Sequence, residues 1–105
     1  MASVHIVCRR GLHVHPIEHP VYETGNWDFS TVEADQLVGG TIYLHESKGE
    51  RSYFGGTVEA YRLADVPEKA HSQRIVFRIR STANAKNVSW RGANHVRAWT
   101  GGIIG

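Results

Sequence analysis

Three closely spaced histidines, His13, His15 and His19, are the first residues whose pattern could do chemistry. Their spacing, H-x-H-x3-H, could gather imidazole rings around a metal ion, and zinc accepts such ligands readily. No cysteine accompanies them, Glu18 is the nearest carboxylate, and the spacing is not of the H-E-x-x-H type. We therefore predict no metal and no cofactor here, and expect exposed histidines that titrate near neutral pH.

A second pattern is the alternation of apolar and basic residues in the predicted strand Gln73 to Ser81. One face carries Ile75, Phe77 and Ile79, and the other carries Arg74, Val76, Arg78 and Arg80. Arginines in a row on one strand face could contact an anionic partner, although such a face is also typical of a solvated surface. The formal net charge of +2 is compatible with an anionic partner without requiring one.

The clearest element that could position such side chains is a predicted β-hairpin over Gly39 to Leu63. Its strands span Thr41 to Glu46 and Ser52 to Leu63, because both segments are rich in β-branched and aromatic residues. Ser47 to Glu50 forms the predicted turn, in which Gly49 is free to adopt a positive φ.

The same hairpin has a pair of glycines and two different faces. Gly55 and Gly56 interrupt the second strand, and such residues mark a β-bulge or a close approach of another backbone. The faces of the first strand carry Ile42 with Leu44 and Tyr43 with His45. We expect the apolar pair to enter the core and the other pair to lie beside a binding site.

The remaining elements are predicted from alternation and from the positions of prolines. Ser3 to Arg9 alternates and is a predicted strand. Gly11 to Asn26 is predicted to be irregular, because two prolines there remove backbone donors. Ala93 to Thr100 is either a last strand or a short helix, and Gly101 to Gly105 is a strand fragment or a frayed tail.

A short helix is predicted over Thr31 to Val38. Ser30 and Glu33 fit the S-x-x-E capping box, in which each side chain satisfies a backbone N–H of the other residue. Gly39 is placed to end the helix. Because the helix has only about two turns, its stability must come from packing.

Length and composition predict a single globular domain over residues 1–105, with 41% hydrophobic and 21% charged residues. No apolar run approaches the roughly 18 residues of a membrane span, so no membrane partner is expected. Cys8 is the one cysteine, which excludes an intrachain disulfide and favours a cytoplasmic location. The predicted core contains Ile6, Leu44, Val58, Ile75, Phe77 and Ile79, with Cys8 as a small buried hydrophobe.

The order of these features resembles the PUA-like superfamily, and in particular its EVE, YTH and ASCH domains. The resemblance runs from Val4 to Arg80. It rests on Trp27, the predicted helix, the run Gly40-Thr41-Ile42-Tyr43-Leu44 and the run Gly56-Thr57-Val58. It implies a mainly β (α+β) fold: a small, partly closed β-barrel with one short helix.

The resemblance also implies a nucleic-acid role, often with one base, sometimes modified, held in a pocket between the helix and the barrel. Such a site needs aromatic faces for the base, polar groups at its edge and cations for the phosphates. The residues predicted for RNA or DNA binding are Asn26, Trp27, Tyr43, His45, Ser47, Lys48, Tyr53, Arg74, Arg78, Arg80, Trp90 and Arg91, with Arg51, Arg97 and Trp99 as further candidates. Thr41 stands where the family pattern usually has an Asp, and the Lys/Thr/Glu set of the hydrolytic ASCH members is missing, so no catalytic residues are predicted.

Two other functions stay open at this point. A small hydrolase or metal-dependent enzyme could use the histidine-rich loop with His45, His95, Glu46 and Glu59, provided that two or three of these groups lie within hydrogen-bond reach. A protein-interaction or structural subunit would need no ligand. Tight zinc binding favours the first alternative, and salt-sensitive retention on a polynucleotide favours nucleic-acid binding.

Overall fold

The structure, a computed structural model, describes residues 2–65, 73–91 and 99–104. The described strands are β1 (Ser3–Val7), β2 (Val14–Glu18), β3 (Val21–Trp27), β4 (Thr41–His45), β5 (Phe54–Asp65), β6 (Gln73–Ser81) and β7 (Thr100–Ile104). One α-helix, α1 (Thr31–Leu37), and a 3-10 turn at Ala83–Ala85 complete the described elements. The prediction of a mainly β (α+β) fold with one short helix is confirmed.

The strands form one mixed sheet in the order β2-β3-β6-β5-β4-β1-β7. β1 runs parallel to β4, and the other neighbouring pairs are antiparallel. Across the described residues, the sheet does not close through backbone hydrogen bonds. It curls, however, because Trp27 at the end of β3 stacks on Trp99 just before β7, with 5.3 Å between the ring centroids. The barrel is therefore partly closed, by side chains.

The concave face of the curled sheet holds the core. Alternate residues of the central strands point inward and are buried: Val4, Ile6, Ile42, Leu44, Val58, Ile75, Phe77 and Ile79. All six predicted core positions are among them, and Cys8 is buried as expected. The helix contributes Ala34 and Leu37 to the same core. These inward residues leave the alternate positions of each strand for the outer face of the sheet.

The capping box that predicted the helix is present. The Glu33 backbone N–H donates to Ser30 Oγ over 3.1 Å, and the Ser30 backbone N–H donates to Glu33 Oε1 over 3.0 Å. The helix ends at Leu37, one residue earlier than predicted, because Val38 has an extended backbone. Gly39 follows with a φ of 85°, a left-handed conformation that favours glycine.

The prediction of an irregular segment over Gly11 to Asn26 is wrong. Most of that segment forms β2 and β3, which pair as an antiparallel ribbon with His15 opposite Glu23. Proline is compatible with β2 because this strand is at the edge of the sheet, where one row of backbone N–H groups has no strand to pair with.

The hairpin of β4 and β5 is confirmed, with two differences in detail. The turn from Ser47 to Glu50 forms, and the Glu50 backbone N–H donates to the Ser47 carbonyl over 3.2 Å. Gly49 does not use a positive φ there. The register shift in β5 lies between Val58 and Ala60, so the bulge is not at the glycine pair.

Gly55 and Gly56 instead permit the close backbone approach that was the alternative prediction. A Cβ at Gly55 would collide with the Ile42 carbonyl and would lie 2.9 Å from the Ala85 Cβ. A Cβ at Gly56 would collide with the Arg80 carbonyl. The Ala83–Ala85 turn can therefore lie directly on the outer face of β5.

Two further expectations concern the end of the chain and membranes. Gly101 to Gly105 was expected to form a strand fragment or a tail, and β7 shows the strand. The predicted element at Ala93 to Thr100 lies almost wholly outside the described residues. Within the described ranges, no helix is long and apolar enough to span a membrane.

Candidate functional site

One end of the barrel collects five of the twelve predicted site residues, and two more lie on the strand beside it. We call it the hairpin end and define it as residues 8–11, 46–53 and 86–91. Its cations are Arg9, Arg10, Lys48, Arg51, Lys86 and Arg91, and its acidic residues are Glu46 and Glu50. Positive charge therefore predominates at this end, although the whole chain is only mildly basic.

Residue Ser52 attaches the segment 86–91 to the hairpin. The Asn87 N–H donates to the Ser52 carbonyl over 2.6 Å, and the Val88 N–H donates to Ser52 Oγ over 2.9 Å. The Ser52 N–H donates in return to the Val88 carbonyl over 2.8 Å. These bonds bring Trp90 and Arg91, which come from a distant part of the sequence, above the outer face of β1 and β4.

Three cations of the hairpin end lie over aromatic rings. The Arg10 guanidinium carbon is 4.9 Å from the Tyr53 centroid. Lys48 Nζ is 5.6 Å from the centroid of Trp90. The Arg91 guanidinium carbon is 5.5 Å from the centroid of Tyr43. A ring attracts a cation through its quadrupole and carries no net charge, so these cations keep their charge beside aromatic surface.

Two buried histidines lie beneath these pairs on the outer face of the sheet. His5 Nδ1 is 2.7 Å from His45 Nε2, and His45 Nδ1 is 2.7 Å from the Glu50 carbonyl oxygen. Arg91 Nε–H donates to His5 Nε2 over 3.3 Å. The parallel register places His5 opposite Tyr43, and the two rings stack with centroids 4.5 Å apart.

The partners of the two imidazoles determine where their protons are. The Glu50 carbonyl can only accept, so His45 carries its proton on Nδ1 and accepts at Nε2. His5 must then donate from Nδ1, which leaves its Nε2 as the acceptor for Arg91. The result is a one-directional chain in which both histidines are neutral.

The pKa values of both histidines are lowered, which favours the neutral form of each ring. Burial, the facing His45 and the Arg91 cation lower the pKa of His5 from 6.5 to about 4. Burial also lowers the pKa of His45, although its bond to the Glu50 carbonyl acts in the opposite direction. At neutral pH the chain of hydrogen bonds is therefore intact.

On the inner side of the same end is an open cleft of about 250 Å³. It is lined by Arg10, Gly11, Val14, Pro16, Tyr22, Tyr53 and Phe54. The Tyr22 and Phe54 rings meet edge to face, with centroids 5.0 Å apart. The lining is mainly apolar and aromatic and includes the Arg10 guanidinium. Such a lining suits a flat ring with polar edges.

Tyr53 connects the cleft to the histidine pair. Its hydroxyl donates to the Cys8 carbonyl, and the Cys8 N–H donates to the His45 carbonyl over 2.8 Å. Burial and the contact with Cys8 raise the pKa of the Tyr53 phenol. Tyr53 is therefore a neutral hydrogen-bond donor that fixes one wall of the cleft.

The predicted basic strand face has a different character. We call it the arginine face: the outer surface of β3, β6 and β5 with Arg62, Arg74, Arg78 and Arg80. Arg62 forms two hydrogen bonds to Glu23, each 3.2 Å long, and Arg80 Nε lies 2.9 Å from Glu59 Oε2.

Acidic neighbours offset most of the positive charge of this surface. Arg74 Nη1 is 3.4 Å from Asp28 Oδ1. The hydrogen bonds from Arg62 lower the pKa of Glu23, and Arg78 adds to that effect because it lies opposite Glu23 in the sheet. The three predicted arginines therefore share a surface, on which Asp28 lies beside Arg74, Glu59 lies beside Arg80, and Glu23 interacts with both Arg62 and Arg78.

Trp27 lies in the core. Its side chain is 7% exposed, its ring stacks on Trp99, and its Nε1–H donates to Thr24 Oγ1 over 3.0 Å. The ring is thus used to join the two ends of the sheet. The neighbouring Asn26 is exposed. Both residues lie outside the segments that define the hairpin end.

The histidine-rich segment does not assemble a cluster of ligands. His13 meets the edge of Trp27, His15 lies opposite Glu23, and His19 Nδ1 is 3.4 Å from the Tyr22 hydroxyl. Within the described ranges, no three His, Cys, Asp or Glu side chains lie close enough to hold a metal ion. Of the carboxylates in the enzyme alternative, Glu46 pairs with Arg10 and Glu59 pairs with Arg80.

The structure thus brings together seven of the predicted residues at the hairpin end or on the strand beside it: Tyr43, His45, Ser47, Lys48, Tyr53, Trp90 and Arg91. It places Arg74, Arg78 and Arg80 on the arginine face, and Asn26 and Trp27 near the end of β3. Sequence reasoning missed His5, Arg10, Tyr22 and Phe54.

The missed residues had weak signals in the sequence. His5 alternates with the apolar residues of β1, which indicates only that it lies on the outer face. Tyr22 fell in a segment that was predicted to be irregular. Their roles depend on which strands become neighbours, and β1 beside β4 is a long-range parallel pairing.

Comparison with family models, with curated proteins and with solved structures finds no match for this chain.

Proposed function

We propose that this domain binds single-stranded nucleic acid at the hairpin end. One unstacked base enters the aromatic cleft, and phosphates follow the cations on the rim. The observation that supports this proposal is an open aromatic cleft with the Arg10–Tyr53 pair in its lining, at an end of the barrel whose outer face carries two further cation–ring pairs.

The size and lining of the cleft favour a single base. Its volume of about 250 Å³ is just below the range of about 300–1,000 Å³ for pockets that hold drug-sized ligands. Tyr22, Tyr53 and Phe54 supply aromatic surface, and stacking on such rings contributes about 1–3 kcal/mol per base. A base stacked inside a duplex does not offer its faces, so the preferred strand is single.

The cations supply the second part of the binding energy. Arg10, Lys48 and Arg91 each lie on a ring, and Arg91 is exposed. Arg10 also has a carboxylate partner, because its Nε is 3.3 Å from Glu46 Oε1. A phosphate that reaches these side chains releases counterions, which makes the affinity fall with salt.

Titration of fluorescein-labelled oligonucleotides tests the proposal. Single-stranded RNA, single-stranded DNA and the matching duplex are compared at several salt concentrations. We expect saturable binding of a single strand, a weaker duplex complex and a linear dependence of log K on log salt. The preference between the two single strands decides whether RNA or DNA is the partner.

A matched pair of variants locates the site. Arg10→Ala removes a cation from the hairpin end, and Arg62→Ala removes one from the arginine face. The first is expected to reduce the salt slope by about 0.7, the value for one phosphate contact on a single strand, and the second to leave it unchanged. Absence of saturable binding, or equal effects of both variants, would contradict the proposal.

A further inference from the structure

Arg91 is held at the hairpin end in an unusual way. Its Nε–H donates to the neutral His5 ring, and its guanidinium lies over Tyr43. No carboxylate is paired with Arg91 among the described residues, and the side chain is exposed. The bond at Nε uses one of the five N–H groups of a guanidinium and leaves the two terminal nitrogens for another partner.

We propose that His5 is a positioning residue for Arg91, and that His45 selects the only tautomer of His5 that can play this role. His5 can accept from Arg91 at Nε2 only if its own proton is on Nδ1. That proton is in turn held by His45 Nε2, and His45 is fixed by the Glu50 carbonyl. The backbone of the β4–β5 turn thereby sets the direction of a surface arginine.

The surroundings of the pair contain no acid that could replace this arrangement among the described residues. From β4 the facing groups are Tyr43 and His45. From the segment 86–91 they are Trp90 and Arg91, with the Trp90 ring 5.7 Å from His5 and 5.0 Å from His45. The turn contributes Lys48, which lies over Trp90, and the Glu50 carbonyl, while the Glu50 carboxylate accepts from Ser47 Oγ.

Protonation of either ring breaks the chain. A second proton on His45 would face the Nδ1–H of His5 across 2.7 Å, and one on His5 Nε2 would face the N–H of Arg91. Arg91 is therefore held in position by His5 in neutral and mildly acidic solution. Strong acid releases the arginine, because an imidazolium has two donors and no acceptor.

NMR of the 15N-labelled protein tests the proposal without any ligand. Long-range correlations of the imidazole nitrogens at neutral pH should show protonated Nδ1 and unprotonated Nε2 in both His5 and His45. The Arg91 Nε–H should exchange with water more slowly than that of a solvated arginine at the same pH, and acidification through about pH 4 should remove this difference as His5 titrates. An Nε2–H tautomer in either ring would overturn the proposal.

Substitutions separate positioning from simple packing. His5→Leu should expose the Arg91 Nε–H to rapid exchange, whereas His5→Gln should keep it protected, because the amide offers both an acceptor and a donor. His15→Leu, at an exposed histidine of β2, is the matched control and should change nothing. Equal protection in His5→Leu and the wild-type protein would contradict the proposal. If His5→Leu does not fold, the tautomers and the acid titration of the wild-type protein decide.

A consequence for ligand binding rests on the proposed function. Arg91→Ala and His5→Leu should each reduce the salt slope by about 0.7, and the double variant should reduce it no further. A reduction of the salt slope in Arg91→Ala but not in His5→Leu would contradict the role of His5 as a positioning residue. If Arg91→Ala does not reduce the salt slope while both tautomers are as expected, Arg91 does not contact a phosphate. The positioning of Arg91 by His5 is then still supported.

Discussion

Two regions of this small barrel are rich in arginine, and they use it in different ways. On the arginine face, Arg62 and Arg80 meet carboxylates directly, and Arg74 lies near Asp28. At the hairpin end, Arg91 lies over the Tyr43 ring without a carboxylate partner among the described residues, and Arg10 lies over the Tyr53 ring as well as 3.3 Å from Glu46. A carboxylate cancels the charge of its partner, whereas a ring leaves that charge in place. The number of arginines on a strand is therefore a poor guide to where an anion binds.

The first way to test this comparison is to change the core that both regions share. Phe77 is fully buried, and its ring contacts Phe29 and Tyr61. Phe77→Ala should lower the free energy of unfolding by about 3–5 kcal/mol, because it removes a large buried side chain and leaves a cavity. Chemical denaturation measures the change. A variant as stable as the wild-type protein would show that the core does not support the two regions jointly.

The second test removes aromatic surface from the cleft. Tyr22→Leu keeps apolar bulk but removes the ring, so binding of a single strand should weaken by about 1–3 kcal/mol while the salt slope stays the same. Tyr61→Leu is the matched control, since Tyr61 lies beside the helix and donates to Asp35. Fluorescence titration of both variants measures the difference. A loss that is as large for Tyr61→Leu would place the base elsewhere.

The third test uses acid to weaken the hairpin end selectively. The folded-state pKa of His5 is lowered to about 4 from 6.5, so the unfolded chain binds a proton at a pH where the folded protein does not. The free energy of unfolding should therefore decrease as the pH falls from about 6.5 to about 4. Denaturation at a series of pH values measures this slope. His5→Gln should make it shallower, and an unchanged slope would argue against a buried neutral His5.

The smallest expected effect concerns the ion pairs of the arginine face. A double-mutant cycle with Arg80→Ala and Glu59→Gln should give a coupling free energy of about 0.2–1 kcal/mol, which is typical of exposed pairs. Added salt should reduce the coupling, because the side chains are solvated. A coupling of several kcal/mol would mean that this face is a structural network rather than a solvated surface.

The sequence predicted local features well. The capping box of Ser30 and Glu33, the β4–β5 hairpin and the inward residues of β6 all depend on residues close together in the chain. The glycine pair was also recognised, although Gly55 and Gly56 serve close approach and the bulge is at Val58 to Ala60. In these cases a local pattern has one main structural solution.

The site was predictable only in part, for a physical reason. Tyr43, Lys48, Trp90 and Arg91 were proposed from residue type, and the structure shows which of them share a surface. Their assembly depends on the bonds of Ser52 to the segment 86–91 and on the parallel pairing of β1 with β4. Neither contact has a sequence pattern, because the partners are far apart in the chain. Trp27 was proposed on the same basis of residue type, and it packs inside.

The position of β1 has a consequence for how the molecule folds. This strand lies between β4 and β7, so both of its partners are remote in sequence. Closing such long loops before any contact forms is entropically unfavourable, and sheets of this kind fold slowly, in about milliseconds to seconds. The β4–β5 and β5–β6 hairpins can form earlier because their strands are neighbours in the chain. His5 reaches His45 only when β1 pairs with β4, so we expect the imidazole pair to form after these hairpins.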